Sequence, residues 1–369
     1  MINVAAPKIQ RIESLDWLRG LMAASIMCYH YVSWEIFQLD ADGLLGKLGI
    51  YAVSIFFVLS GLSLSLVYSS FIKNAVSIFR FFIRRIFRIW PLMWLATGLF
   101  ILFATIEHRP SASLYAIFLN ITTLFGFIDF GRYLPDGAWS IGNEMVYYAF
   151  TPAAIILFNK KRVYGNILLG ISVIIGLIFS SLLLRPDMIL AQQWNIYINP
   201  FNNLFLFIAG IALYYNFKEI QIGKRLNLFF TAAAFLSFWL FGVSGNQILL
   251  VTGFNRILFS ALCVFIVFLF WKLEFGLPQI LKTPIAKICA ASYAIYLLHP
   301  FALRTAKLIT QSRGLHDLNI ILPLAVALTI FASLLAYSFL ETPFIKLGKK
   351  LTRNPLSKLS LATTTEKID

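Results

Sequence analysis

The chain has 369 residues, of which 59% are hydrophobic and 13% charged, with 31 Lys and Arg against 16 Asp and Glu. Ordinary soluble chains carry roughly 45–50% apolar and about 25% charged residues, so this composition excludes a soluble fold and specifies an integral membrane protein. A formal charge of +15 would suggest nucleic acid in a soluble protein; in a polytopic one it reads as cytoplasmic loops held against anionic lipid, and no nucleic-acid partner is expected.

Residues 1–16 are polar and contain no apolar stretch of the signal-peptide kind, so the first span is expected to serve as the targeting signal. Apolar runs then predict spans over 17–37, 47–69, 86–106, 139–158, 164–184, 198–217, 227–244, 255–272, 285–307 and 319–341, with an eleventh run at 112–128. The eleventh run decides the topology. If it does not cross, Lys and Arg number 23 on the N-terminal side against 8 on the other; if it crosses, the counts become 14 against 17 and the asymmetry vanishes. The positive-inside rule therefore favours an all-α polytopic bundle of about ten transmembrane helices with both termini cytoplasmic. The 112–128 segment, short and carrying Asn120, Thr122 and Thr123, becomes a re-entrant or interfacial helix. One membrane domain over 1–345 and a basic cytoplasmic tail over 346–369, disordered by composition, are expected, with no appended soluble domain.

Cys28, Cys263 and Cys289 fall in apolar segments without C-x-x-C spacing, so neither a disulfide framework nor a metal site is expected. Ionisable groups inside spans are costly and point to function. His30 lies thirteen residues into the first span, roughly 20 Å along it, and His299 lies at a similar depth, fourteen residues along the ninth. Glu144 follows Trp139 by five residues, about 7 to 8 Å inward. The three side chains are expected to meet in one pocket, where a neutral His acts as base and the carboxylate orients it. The plainer alternative is that each is a satisfied polar group bridging helices. Asn143 and Tyr147, flanking Glu144, are candidates for substrate hydrogen bonds, whereas Trp139 reads as part of an interfacial aromatic belt.

A second constellation is basic: Arg19 at the start of the first span, and Arg80, Arg84, Arg85 and Arg88 entering the third. Arg84, Arg85 and Arg88 are spaced to share much of one helical face, and guanidinium forks bind phosphate bidentately. Such arginines also serve simply to enforce orientation. Small residues of the second span, Ser54, Ser60, Gly61, Ser63 and Ser65, suit close helix packing. Glu341, Thr342 and Pro343 read as the stop of the last span, and His108 and His316 as solvated loop residues.

Read together, LDWLRG (15–20) followed by His30, IFFVLSG (55–61), RRIFRIWPLMWL (84–95), WSIGNEMVYY (139–148) and SYAIYLLHP (292–300) resemble the acyltransferase-3 family of bacterial membrane enzymes, which O-acylate cell-surface carbohydrates. The strings occur in family order from Leu15 to about Pro343. The resemblance implies a stand-alone O-acetyltransferase-like enzyme of the bacterial inner membrane, without the SGNH-type domain that some members carry. It would take acyl-CoA, acetyl by default, as cytoplasmic co-substrate, bind no permanent cofactor and acylate a carbohydrate hydroxyl at the outer side. By position Arg19 and His30 match the family's Arg and His pair, Arg85 and Arg88 its basic motif, and Glu144 the acidic end of its Trp-Ser motif. The resemblance thus makes His30 and Glu144 catalytic and gives Arg19, Arg85 and Arg88 to acyl-CoA. His299 matches the Leu-His-Pro string and joins Asn143 and Tyr147 among the substrate-binding candidates. Trp17 and the Gly142-Asn143-Glu144 ending depart from the family pattern. A proton-coupled transporter or flippase, with His30, Glu144 and His299 as relay, is the rival reading; the lack of an inverted repeat weighs against it.

Overall fold

The computed structural model describes residues 12–273 and 279–353. Regular structure among them is entirely helical. Among the described residues six helices are long and apolar enough to cross a membrane: α2 (Leu44–Tyr68), α3 (Ala75–Ile106), α6 (Trp139–Lys160), α7 (Arg162–Ile178) with its π-helical extension, α11 (Gly253–Trp271), and the continuous run through α14 (Leu318–Ala336) and α15 (Thr342–Leu351). Two bent pairs raise the number to eight if each is one span. They are α8 (Trp194–Tyr197) with its preceding turn and α9 (Pro200–Phe217), bent by 61°, and α12 (Gln279–Ala290) with α13 (Ser292–Gln311), bent by 70°. Two further helices fall where spans are expected: α1 (Glu13–Glu35), its apolar character diluted by Arg19 and His30, and α10 (Lys224–Leu240), only 17 residues long.

The 112–128 run forms α4 (Leu114–Ile121) and α5 (Phe125–Ile128), of eight and four residues. At 1.5 Å per residue neither approaches the roughly 30 Å of a bilayer core. Its polar residues fold the excursion back on itself. Asn120 Nδ2 donates to the carbonyls of Ala116 and Arg132, both at 2.8 Å, and its Oδ1 accepts from Leu134 N. Trp90 Nε1 donates to Thr123 Oγ1 and Trp94 Nε1 to the Ile121 carbonyl. Asn120 thereby fixes the 129–138 loop, which enters the site.

Helix α2 runs through the middle of the bundle and α9 crosses it at glycines. A Cβ on Gly61 would stand 2.0 Å from the Phe207 carbonyl, and one on Gly210 would stand 2.1 Å from that of Val58, so only glycine permits this approach. The packing role expected of the small residues holds for Gly61, while Ser60 and Ser63 turn into the site. Lys47, 1% exposed, donates to the carbonyls of Trp239 and Phe241 and so closes the C-terminal end of α10.

Two expectations change at the end of the chain. The stretch beginning at 346, expected to be disordered, is helical through Leu351, and α15 lies on α3 with Gly348 against Phe87; residues 354–369 lie outside the described ones. Glu341, Thr342 and Pro343 do not stop the helix, which runs on into α15, and Glu341 is 1% exposed in the π-helical turn Tyr337–Glu341, with Oε1 lacking a hydrogen bond.

Candidate active site

A cavity of about 280 Å3 opens between α1, α2, α3, α6 and α13. Its wall runs along α2 from Val53 to Tyr68, fifteen residues or about 22 Å of helix. Arg19, Arg85, Arg88 and Glu144 supply its charge, so three guanidinium groups face one carboxylate. Arg19 Nη1 donates to Asp16 Oδ1 at 3.0 Å and Nη2 to Ser63 Oγ. Arg85 Nη2 donates to Tyr68 Oη at 3.0 Å, and its guanidinium lies over the Tyr68 and Tyr148 rings; its buried Nε has no partner. No hydrogen bond to Arg88 occurs among the described residues. Ring faces and a phenol hold Arg85 in place without neutralising it, while Arg19 is paired with Asp16, so the cavity keeps more positive than negative charge and suits an anion.

The shared arginine face is corrected in one respect. Arg84 Nε turns outward to Thr352 Oγ1 at 2.7 Å, its guanidinium over Phe71, because its position on α3 faces α15 instead of α2.

Glu144 belongs to the same cavity and does not meet the histidines, contrary to expectation. Its Oε1 accepts from Ser60 Oγ at 2.8 Å and from Tyr148 Oη, one helical turn along α6. The residue of α6 that reaches toward the histidines is Ser140, through Tyr296: the two hydroxyls lie 2.8 Å apart, and Tyr296 Oη also donates to the Gly137 carbonyl. Asn143 and Tyr147 are likewise corrected. They are fully buried and donate to the carbonyls of Ile198 and Pro200, freed by the bend before α9, and neither lines the cavity. Trp139, 6% exposed, packs against Trp194 and Tyr197 rather than at an interface.

His30 and His299 do meet. His30 Nδ1 lies 2.8 Å from His299 Nε2, with the rings 8° from parallel, and His299 Nδ1 lies 3.2 Å from the Ile295 carbonyl. A carbonyl can only accept, so His299 carries its hydrogen on Nδ1 and offers a lone pair at Nε2. His30 must then donate from Nδ1, which leaves His30 Nε2 unprotonated. Tyr31 Oη donates to the His299 carbonyl at 2.9 Å and meets Thr329 Oγ1 at 2.7 Å, fixing the backbone just before Pro300. The pair is separated from the cavity by one aromatic ring, Tyr296, which lies 6.4 Å from His299 and lines the cavity with its other side.

On the far side of the pair Trp34 lies 4.5 Å from His30 and 6° from parallel. It opens on a second cavity of about 500 Å3 with Glu35, Glu107, Asp136, Pro300, Arg304 and Lys307 in its wall. Partial burial pushes the Asp136 carboxyl above its ordinary value, against the pull of Arg304 and Arg109. His108 and His316 are exposed, as expected of loop residues. The sequence does not single out Tyr296 or Trp34, although Trp34 stands four residues after His30, the spacing that puts side chains on one helix face.

The family described as an acyltransferase domain matches residues 12–339. The chain belongs to that family. Among curated proteins it is similar to peptidoglycan O-acetyltransferase OatA of Listeria monocytogenes serovar 1/2a, 27% identical over 91% of this chain and 56% of that protein. It is also similar to two provisionally named O-acetyltransferases of Staphylococcus aureus: 25% identical in strain COL and 24% in strain MSSA476, each over 93% of this chain and 59% of the relative. The chain thus spans less than two thirds of the length of these relatives. No solved structure matches it. All five strings quoted from the sequence fall inside the matched residues, and each supplies at least one side chain to the two cavities or the histidine pair.

Proposed function

We propose that this acyltransferase-family chain is a multi-pass O-acyltransferase of the bacterial inner membrane, with ten spans and both termini cytoplasmic. It moves an acyl group, acetyl by default, from cytoplasmic acyl-CoA to a hydroxyl of a cell-surface or lipid-linked carbohydrate at the outer side. The observation that carries the reading is the chain of contacts from the Ile295 carbonyl through His299 to His30, which leaves one imidazole lone pair, His30 Nε2, directed by two neighbours and available as a base.

In this reading the CoA phosphates are held by Arg85 and Arg88 with Arg19, and the thioester end runs along the α2 wall toward Tyr296 and the histidines. His30 Nε2 takes the proton of the acceptor hydroxyl as its oxygen attacks the thioester carbonyl. The C–S bond breaks, the ester forms, and the imidazolium returns the proton to the CoA thiolate. Glu144, bonded to Ser60 and Tyr148, sets the charge of the arginine cavity and does not touch the imidazole. This differs from the orienting role expected of it. Enclosure of the path between helices keeps water from the thioester.

The test is the ester-linked acyl content of envelope glycans, by mass spectrometry after mild base release. It compares cells making wild type, His30→Ala at matched membrane level, or no protein. Ester that depends on wild type and is lost in His30→Ala is the expected result. Equal ester in all three strains overturns the reading.

A further inference from the structure

We propose that the cavity bounded by Trp34, Glu35, Asp136, Arg304 and Lys307 is the acceptor subsite, and that it takes a neutral sugar ring. The inference rests on the acyl-transfer reading and assigns a binding surface that the reading itself leaves open. Helix α1 places the cavity at the opposite end from the arginines, since Trp34 stands fifteen residues, about 22 Å, beyond Arg19. Two of its wall residues adjoin the histidine pair: Trp34 lies parallel against His30, and Pro300 follows His299 in the chain. An occupant of this cavity is therefore one side-chain layer from the imidazoles.

The chemistry of the wall suits a polyol. Trp34 is 44% exposed despite its contact with His30, which leaves much of an aromatic surface open to the C–H face of a sugar. Around it stand ion pairs from separate elements: Arg304 Nη2 to Asp136 Oδ2 at 3.1 Å, and Lys307 Nζ to Glu35 Oε2 at 2.6 Å. Arg304 Nη1 is buried and has no hydrogen-bond partner. Each pair offers a sugar hydroxyl both a donor and an acceptor, and the unpartnered N–H offers a further donor. Because carboxylates and cations are paired across the wall, the surface carries no excess of positive charge for a phosphorylated acceptor. That is the opposite of the arginine cavity. The pairs are also anchored: Asp136 belongs to the loop that Asn120 holds through Arg132 and Leu134.

The experiment uses full-length protein in its own membrane and reads glycan ester as above, for wild type, Trp34→Ala, Trp34→Phe, Arg304→Gln and Lys307→Gln at matched membrane levels. Each purified variant is also measured for acetyl-CoA affinity. Trp34→Ala and at least one of the two charge variants are expected to lower ester at least tenfold, with acetyl-CoA Kd within twofold of wild type. Trp34→Phe is expected to retain most of the ester. Loss in Trp34→Ala alone means that Trp34 acts only by supporting His30, and overturns the subsite; so does wild-type ester in Trp34→Ala. Acetyl-CoA affinity that falls together with ester also overturns it. Failure of the parent reading shows differently, as wild-type cells with no more ester than cells without the protein.

Discussion

His299 illustrates how one buried side chain can decide the chemistry of another. It is 0% exposed, accepts from His30 and donates to a backbone carbonyl, and touches neither cavity wall. In the proposed mechanism it acts by position, as the third group does in other hydrogen-bonded catalytic chains, and not as the substrate contact expected of it. His299→Leu removes the acceptor that keeps hydrogen on His30 Nδ1, and turnover is expected to fall on the order of 100-fold, the scale of a misdirected general base. His299→Gln can present Oε1 to the same Nδ1–H and is expected to recover much of that loss. Steady-state kinetics on purified protein check both, with the change in kcat and not in the acyl-CoA KM. A purely structural His299 would instead lower folded protein in both variants alike. The pairing was half legible in the sequence: depth along two helices brought His30 and His299 to one level, but the same argument brought Glu144 there too. Depth is set by rise per residue and can be read along the chain. The direction of a side chain around its helix turns by about 100° per residue and is settled by packing. Arg84 turns away from Arg85 for that reason, whereas Glu144 shares the face of Ser140 on α6 and falls short of the histidines by depth, one turn or about 6 Å.

At the scale of elements, the crossing of α2 and α9 holds the arginine cavity in shape, since α2 supplies most of one wall. Backbone meets backbone at Gly61 and Gly210. Even Gly210→Ala places a Cβ against the Val58 carbonyl, which cannot move without displacing the helix. A cost of about 1–3 kcal/mol is expected, the range for overpacking a tight core. Gly170→Ala is the matching control, because a Cβ there meets nothing within 4 Å and a mid-helix alanine is favoured over glycine by about 1 kcal/mol. Thermal unfolding in detergent should show a lower Tm for Gly210→Ala and an unchanged or higher one for Gly170→Ala. A Gly210→Ala protein as stable as wild type would mean that the crossing is not tight. Small residues are visible in the second span but the division between packing and site-lining positions is not, because Gly61 and Ser60 differ by one position and thus by which neighbour they face. Beside Glu144, Asn143 and Tyr147 read as substrate contacts, whereas the bend before α9 exposes carbonyls that these buried donors satisfy.

For the whole molecule, the two cavities make sense only if they open on opposite faces of the membrane with the histidine pair between them. That depends on the number of crossings, and the bent pair ending in α9 is the point at which it can be tested. If residues 190–217 cross once, the loop before them and the loop after them lie on opposite sides; if the 61° bend marks a re-entrant loop, they lie on the same side. Asp187 and Glu219 bracket the segment, with side chains 63% and 83% exposed. Single cysteines at these positions, Asp187→Cys and Glu219→Cys, can be placed in a background in which Cys28, the exposed native thiol, is Ser. A membrane-impermeant maleimide then reports their side. Asp187→Cys is expected to label in intact spheroplasts and Glu219→Cys only after permeabilisation, since ten spans with a cytoplasmic N-terminus put the first outside and the second inside. Labelling of both from one side would remove that crossing, and because Trp34 and Arg304 line one cavity, the number of crossings between Glu219 and Arg304 would then have to change as well. Their shared cavity thus ties the crossing at 190–217 to those of α10, α11 and the α12–α13 pair, and the labelling pattern decides whether that set brings Arg304 back to the face on which Trp34 lies.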